Sequence, residues 1–226
     1  MQGFKGFSNK TLQFLQEITR HNSKEWFEEH RSLYDENLLH PFKQLVETLT
    51  PCMLAIDERF ETRPAIGKTL SRIHKDTRFS RDKSRYRGRF WLSFKRPSKD
   101  WKESPTYFFE IATDWYRYGL GYYSAPKYKM DLLRQLIEQD IKAFEKLIYC
   151  YQSPFELIGD SYKRSLNKAL PEHIATWYNR KNLAIMVSSQ QVERLFNKQL
   201  VNELTRAFQQ LAPLYHYLQK IETYNQ

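Results

Sequence analysis

Apolar residues recur with two different periods along this chain, and the switch between them restricts the fold more than any other feature. Residues 12–18 place leucine and isoleucine on one face of a helix. Residues 89–96 instead alternate between two sets of side chains, one containing Phe90, Leu92 and Phe94, which is typical of a strand. Helical spacing returns after about residue 130. Helices, then strands, then helices predict an α+β protein.

The middle of the chain predicts a sheet. Residues 106–113 and 115–123 are rich in aromatic and β-favouring residues, and the break near Asp114 indicates a hairpin turn. Two short segments, 70–74 and 183–187, are further candidate strands. We therefore expect an antiparallel β-meander of three to five strands in the middle of the chain, packed against N- and C-terminal helices.

Local signals predict several helix boundaries. Ser8 is expected to cap the first helix, and Asn22 with Glu25 has the spacing of a capping box. Pro41 predicts a kink. The pair Thr50-Pro51 predicts the start of a further short helix.

Composition predicts one domain spanning residues 1–226. The 7 Gly and 9 Pro are scattered, and no linker-like tract or internal repeat is present. Two distant cysteines, Cys52 and Cys150, are expected to be buried thiols in a reducing compartment. Neither a signal peptide nor a membrane span is indicated, so we expect a cytoplasmic protein. The histidines lack metal-ligand spacing, so neither a metal nor another cofactor is expected.

Positive charge is concentrated in one segment. Residues 63–102 hold 14 Lys and Arg against three Asp, an excess of +11, whereas the chain as a whole has a net charge of +10. Residues 1–62 carry seven basic and ten acidic side chains, and residues 103–226 carry 15 and 13. A concentrated positive segment attracts anions, so the partner predicted for this chain is negatively charged.

Within that segment, residues 72–87 hold eight basic groups, counting histidine, and two carboxylates. Arginine suits bidentate contact with phosphate, and lysine supplies a mobile point charge. We expect an anionic small molecule bearing a phosphate group to be bound here. The predicted ligand-binding residues are Arg72, Arg78, Lys83, Arg87 and Arg89.

Three alternatives remain open, because no motif fixes a reaction. An enzyme could use the same pocket on a phosphate-containing substrate, with Asp76 or Asp82 as general base and Tyr86 or His74 passing a proton. Carboxylates beside arginine should have a lowered pKa and act as weak bases, which counts against this. The cluster could instead be purely structural, with both aspartates held by neighbouring arginines.

Nucleic acid is the third alternative. Interleaved basic and aromatic residues often bind single strands by phosphate contact and stacking. For Phe109 and Trp115 a place in the core of the sheet is the favoured expectation. The aromatic residues in or after the basic segment are Trp91, Trp101, Tyr107, Phe109, Trp115, Tyr118 and Tyr122.

The basic block also resembles the signature of a conserved bacterial family, domain of unknown function 2461, whose members share R-I-x-R-D-T-R-F-S-x-D-K-x-P-Y-K. The matching residues are Arg72, Ile73, Asp76, Thr77, Arg78, Phe79, Ser80, Asp82, Lys83 and Tyr86. Arg85 stands where many members have proline. Similarity to members extends through nearly the whole chain, including Asn22, Lys24-Glu25-Trp26-Phe27 and Tyr162-Lys163-Arg164. The resemblance implies a single-domain protein and brings no established substrate or reaction.

Overall fold

The computed structural model describes residues 3–78, 81–151 and 153–223. The first third is helical, as the periodicity predicts. Its elements are α1 (Asn9–Arg20), α2 (Lys24–Glu29), α3 (Arg31–Tyr34), a π-helical turn (Asp35–Leu39) and α4 (His40–Ile56).

The first helix begins where the sequence predicts, and the second begins one residue later. Ser8 is the N-cap of α1, and its backbone N–H donates to Thr11 Oγ1 at 3.3 Å. Ser23, not Asn22, is the N-cap of α2, because Ser23 Oγ accepts from Trp26 N at 3.2 Å. The capping box predicted at Asn22 is therefore wrong, and the Asn22 amide contacts another part of the chain.

Two prolines shape the last helix of this region. Pro41 lies in the first turn of α4, directly after the π-helical turn in which His40 N donates to Asp35 O. Pro51 lies inside α4, so the helix start predicted at Thr50 is wrong. The apolar face on which Leu49 and Met53 are fully buried continues across Pro51, and this packing keeps the helix intact despite the missing N–H.

Five strands form one antiparallel sheet, which confirms the α+β fold and the meander. The strands are β1 (Arg89–Phe94), β2 (Thr106–Ala112), β3 (Tyr116–Gly121), β4 (Glu156–Ile158) and β5 (Ala184–Ser189). Their order is β1-β2-β3-β5-β4. The β2–β3 turn lies at Asp114, where Ala112 N donates to Trp115 O at 2.9 Å. The short strand β4, which the sequence did not reveal, pairs Leu157 with Ile185.

Helices return in the last third. They are α5 (Lys127–Gln139), α6 (Ile141–Ile148), α7 (Glu172–Tyr178) and α8 (Gln199–Thr223), with 3-10 turns at Trp101–Glu103 and Val192–Phe196. Across the described ranges, no helix has both the length and the apolar character that a membrane span requires. Neither cysteine is buried, contrary to expectation: Cys52 is half-buried and Cys150 is exposed, and both are free thiols.

The chain divides into two compact units. The first comprises Met1–Phe94, Phe108–Tyr118 and Ser188–Arg206, and its core includes the Phe42 ring, 5.0 Å from Phe7 and 4.9 Å from Phe90. The second comprises Lys95–Tyr107, Gly119–Val187 and Ala207–Gln226. In its core the Tyr107 and Phe208 rings lie 5.2 Å apart. That residues 1–226 form a single domain stays a prediction.

Candidate anion-binding site

The basic block folds as an irregular hairpin in the first unit. Residues 69–75 run antiparallel to residues 85–93, with Ser71 N bonded to Trp91 O at 2.9 Å and Arg87 N to Ile73 O at 2.9 Å. The candidate strand 70–74 thus makes isolated bridges instead of a strand; two of them, Leu70↔Leu92 and His74↔Tyr86, join the two arms. We call residues 69–93 the basic hairpin. Its first arm covers the edge of the sheet at β1.

Two buried side chains hold the hairpin against the rest of the first unit. Ile73 is 2% exposed and Tyr86 is 4% exposed, although basic residues flank both. The Tyr86 ring stacks on Phe27 at a centroid distance of 4.7 Å. Burial raises the pKa of the Tyr86 hydroxyl, so it stays protonated at neutral pH.

Asn22 fixes the second arm of the hairpin. Its Oδ1 accepts from Arg85 N at 2.6 Å and from Tyr86 N at 3.0 Å, while its Nδ2 donates to Tyr86 O at 3.0 Å and to Ile18 O at 2.9 Å. The oxygen and the nitrogen of this amide are therefore both hydrogen-bonded to backbone groups. The sequence assigned Asn22 to a helix cap because a contact with residues more than 60 positions away leaves no local signal.

Both aspartates of the hairpin are engaged by cations close in sequence. Asp76 accepts from Arg78 Nε at 3.0 Å, Arg78 Nη2 at 2.8 Å and the Arg78 backbone N at 3.2 Å, and this lowers the pKa of Asp76 to about 2. Asp82 binds Lys75 Nζ, and it accepts from Ser84 N at 2.9 Å. The Lys75 ammonium, together with Ser84, holds the pKa of Asp82 well below its usual range. Neither carboxylate is a competent general base at neutral pH.

Three predicted ligand residues also have partners within the chain. Arg89 Nη1 lies 3.3 Å from Glu110 Oε1. Arg87 Nη1 donates to the carbonyl of Arg72 at 2.8 Å and to the carbonyl of His74. Lys83 Nζ donates to Thr77 O at 3.0 Å. Arg87 and Lys83 each join two segments of the hairpin, whereas Arg89 ties the hairpin to β2.

The remaining arginines of the hairpin are exposed and carry uncompensated charge. Within residues 3–78, 81–151 and 153–223, no acceptor lies within hydrogen-bond or ion-pair distance of the guanidinium of Arg72, Arg81 or Arg85. Arg72 is a predicted ligand residue, whereas Arg81 and Arg85 were missed. The Arg85 charge acts on Glu25 at longer range: the pKa of Glu25 is lowered mainly by backbone and Ser23 hydrogen bonds and to a smaller extent by Arg85.

A local pattern accounts for part of the arginine pairing in and before the hairpin. An acidic residue two positions before an arginine binds it in three of the four instances up to the end of the hairpin, the exception being Arg31, which pairs with Glu28 and not with Glu29. The three pairs are Asp57 with Arg59, Glu61 with Arg63, and Asp76 with Arg78. In each pair the carboxylate also accepts from the arginine's own backbone N–H. Arg72, Arg81 and Arg85 have no acidic residue at that position.

Residues 10–217 match the family model described as "Conserved hypothetical protein (DUF2461)". The chain belongs to the DUF2461 family. The resemblance seen in the basic block is thereby confirmed over most of the sequence. No curated protein matches the chain. Phe79 and Ser80, two signature residues of this DUF2461 member, lie outside the described residues.

Of the four candidate catalytic residues in the DUF2461 chain, the structure brings His74 and Tyr86 together. Their ring centroids lie 5.0 Å apart, and the His74 ring also meets Phe27 at 5.5 Å. His74 is exposed, whereas Tyr86 is buried. Asp76 and Asp82 are paired to cations, so neither candidate carboxylate is left to activate either ring as an acid–base relay.

The aromatic residues of the DUF2461 chain divide into core and surface. Tyr107, Phe109, Tyr118 and Tyr122 are buried, so the core position expected for Phe109 is correct. Trp115 is only half-buried, and the Arg117 guanidinium lies 5.0 Å from its ring centroid, so the core position favoured for it is wrong.

Two surface clefts occur in the first unit, and neither includes a residue of the basic hairpin. One, of about 370 Å³, lies between α1 and the β2–β3 turn, beside Gln13 and Asp114. The other, of about 470 Å³, lies at the start of α8, beside Arg194 and Glu203. Across the described parts of the DUF2461 chain, no group of three His, Cys, Asp or Glu is placed to hold a metal ion.

Proposed function

We propose that the basic hairpin of this DUF2461 protein binds a ligand that bears phosphate groups. The observation that carries the proposal is the set Arg72, Arg81 and Arg85: three exposed guanidinium groups on one hairpin whose two aspartates are already occupied by Arg78 and Lys75. Like charges on one hairpin repel, and a phosphate group offsets that repulsion while accepting the planar fork of a guanidinium.

The internal contacts of the hairpin support this function by fixing its backbone before a ligand arrives. Asn22 holds the backbone at Arg85, and Arg87 joins the two arms through the carbonyls of Arg72 and His74. A ligand therefore has mainly side chains to order, and the entropic cost of binding is smaller than for a mobile loop.

Titration calorimetry with inorganic tripolyphosphate at low ionic strength tests the proposal. The triple variant Arg72→Gln/Arg81→Gln/Arg85→Gln should bind at least tenfold more weakly than the wild type, because each phosphate contact contributes a charge-assisted hydrogen bond.

A matched triple variant removes the same charge elsewhere: Lys10→Gln/Lys142→Gln/Lys198→Gln, three exposed lysines outside the hairpin. This control should retain the wild-type affinity within about twofold. Equal losses in both triple variants, or no binding by the wild type, would refute the proposal.

A structural role is the second candidate, and the pairs Asp76–Arg78 and Asp82–Lys75 favour it. In that case Asp82→Asn should lower the midpoint of urea unfolding, and the arginine triple variant should leave tripolyphosphate binding unchanged. No comparable observation favours catalysis, because the lowered pKa values of the two aspartates make them weak bases.

We also propose that the protein is located in the cytoplasm. Cys52 and Cys150 are both free, as is usual for thiols in a reducing compartment.

A further inference from the structure

Beside the basic hairpin, the outer face of β1–β3 carries an unusual set of side chains. Phe90 and Phe109 point to the inner face, where they contact Phe42 of α4. Strand alternation therefore places the intervening side chains on the opposite face. The outer-face residues in the first unit include Arg89, Trp91, Phe108, Glu110 and Arg117. Trp115, which directly precedes β3, lies against Arg117.

A buried carboxylate forms the centre of the outer face. Glu110 is 6% exposed; its Oε2 accepts from Arg117 Nε at 2.7 Å, and its Oε1 lies 3.3 Å from Arg89 Nη1. One carboxylate thus orients two guanidinium groups across three strands. The row Arg89–Glu110–Arg117 keeps a net positive charge, so it adds to the charge of the hairpin rather than neutralising it.

Each of these two tryptophans lies against arginine. Arg87 and Arg89 lie 5.3 Å and 6.0 Å from the Trp91 ring centroid, and Arg117 lies 5.0 Å from that of Trp115. Both rings are half-buried. Such stacks present flat cationic and aromatic surfaces, on which nucleic-acid bases stack.

The two stacks lie on opposite sides of the central row. Because β1 and β3 both run antiparallel to β2, Trp91 and Trp115 lie two residues from the row in opposite directions. Standard strand geometry then separates their Cα atoms by about 16 Å. The two rings would accordingly contact two different bases of one strand.

We propose that the ligand of the basic hairpin is single-stranded nucleic acid, with bases stacked at Trp91 and Trp115 and phosphates on Arg72, Arg81 and Arg85. This inference rests on the proposed function of the hairpin and names its ligand class. Arg87 links the two parts, since its guanidinium both joins the hairpin arms and lies over Trp91.

The form of the site favours a single strand over other anions. Small phosphate-bearing metabolites are usually enclosed in one cleft, whereas these residues are spread over the hairpin and the outer face of β1–β3. Duplex bases are already stacked on one another and would not reach the tryptophans, whereas single-strand proteins combine basic grooves with aromatic stacking.

Fluorescence anisotropy with a labelled 15-nucleotide oligo(dT) tests the inference on the full chain. Trp91→Leu should weaken oligo(dT) binding about tenfold or more, as the loss of a base–aromatic stack does elsewhere. Trp91→Phe should recover most of the affinity, because it restores an aromatic face. Neither variant should change the affinity for tripolyphosphate, which has no base to stack.

The matched control is Trp26→Leu, a half-buried tryptophan of the same unit that stacks on His30 at 4.2 Å. It should leave both affinities unchanged. If Trp91→Leu lowers the urea midpoint, Trp115→Leu provides the same comparison at the other stack. For three phosphate contacts, log affinity should fall with log salt with a slope of about −2, and the slope should approach zero in the arginine triple variant.

The outcomes separate this inference from the proposed function. If tripolyphosphate binds but Trp91→Leu leaves oligo(dT) affinity unchanged, or a 15-base-pair duplex binds as tightly as the single strand, the inference is wrong and the phosphate function stands. If the wild type binds neither tripolyphosphate nor oligo(dT), both are wrong. Selective loss of oligo(dT) binding in Trp91→Leu supports both.

Discussion

At the scale of single residues, one asparagine determines the shape of the basic hairpin. Asn22 follows α1, and its side chain reaches the backbone of Arg85 and Tyr86, 63 and 64 positions later. An amide is suited to this position because it both donates and accepts, so it pairs with an N–H and a carbonyl of the same strand.

Replacement of Asn22 by alanine should lower the free energy of unfolding by about 2 kcal/mol, because the backbone groups of residues 85 and 86 lose their partners. Urea denaturation measures this. Asn37→Ala is the control, since the exposed Asn37 amide makes one local bond, to Leu33 O at 3.1 Å, and should cost less than about 0.5 kcal/mol. If Asn22→Ala and Asn37→Ala lost the same free energy of unfolding, the contact between Asn22 and the hairpin would not contribute to stability.

A second prediction at this scale concerns the charge of Asp76. Arg78 lowers its pKa to about 2, mainly through side-chain hydrogen bonds. In Arg78→Gln the Asp76 pKa should rise toward its ordinary value, whereas that of Asp82, held by Lys75 and Ser84, should stay low. Carboxyl-detected NMR titration follows both groups in one experiment. An unchanged Asp76 pKa would show that Arg78 is not its partner.

The sign of the resulting pH effect follows from the direction of the shift. Because the pKa of Asp76 is lower in the folded than in the unfolded chain, the Asp76–Arg78 pair contributes stability above about pH 4. That contribution is lost as pH falls from about 4 toward 2. The stability of Asp76→Asn should therefore depend less on pH in that window than the stability of the wild type.

At the scale of elements, two glycines allow β3 and β5 to pair. A Cβ at Gly119 would collide with the carbonyl oxygen of Ile185, and one at Gly121 would lie 2.5 Å from the Ala184 side chain. The Gly-Leu-Gly sequence in β3 thus allows β3 and β5 to lie close together.

Gly119→Ala should therefore destabilise the protein by about 2–3 kcal/mol, since backbone cannot move aside as a flexible side chain can. Thermal or urea unfolding measures this loss. Gly3→Ala is the matched control, because nothing lies within 4 Å of the position of its Cβ. A Gly119→Ala protein as stable as Gly3→Ala would contradict the close approach.

Helices α5 and α8 are joined by a buried ion pair in the second unit. Lys129 is 5% exposed, and its Nζ lies 2.8 Å from Glu222 Oε2 and 2.6 Å from the carbonyl of Glu103. A buried ammonium needs such partners, because its transfer from water is costly.

Removal of one partner, in Glu222→Ala, should cost about 3 kcal/mol because the Lys129 charge is left buried. The double variant Lys129→Met/Glu222→Leu should recover most of that loss, since no charge remains to be desolvated. A double-mutant cycle by urea denaturation tests this. If the losses simply add, the two side chains do not interact.

At the scale of the whole molecule, the number of cooperative domains is open to a direct test. Each compact unit collects three separate stretches of chain, so neither corresponds to a continuous fragment. We expect a single domain, in which urea unfolding followed by tryptophan fluorescence and by far-ultraviolet circular dichroism gives one coincident transition. Two separated transitions would refute the single domain.

Sequence periodicity was sufficient to predict the fold class and several of the helices and strands. The start of α1 at Ser8, the alternation in β1 and the turn at Asp114 all depend on contacts within a few residues, so local sequence encodes them. The charge excess of residues 63–102 could also be calculated from the sequence, because it is a sum over residue types. The short strand β4 was missed because three residues are too few to show a period.

Beyond local pairs such as Asp76–Arg78, tertiary structure decided which charges remain available and what lies beside them. The partner of Asn22 is 63 residues away, and Arg89 and Arg117 meet at Glu110 only because three strands align. Such contacts arise from strand register and helix packing, to which many distant residues contribute, so no local pattern encodes them. The sequence accordingly located the positive charge. Only the folded chain distinguishes Arg72, Arg81 and Arg85 from the arginines that bind acceptors within the chain.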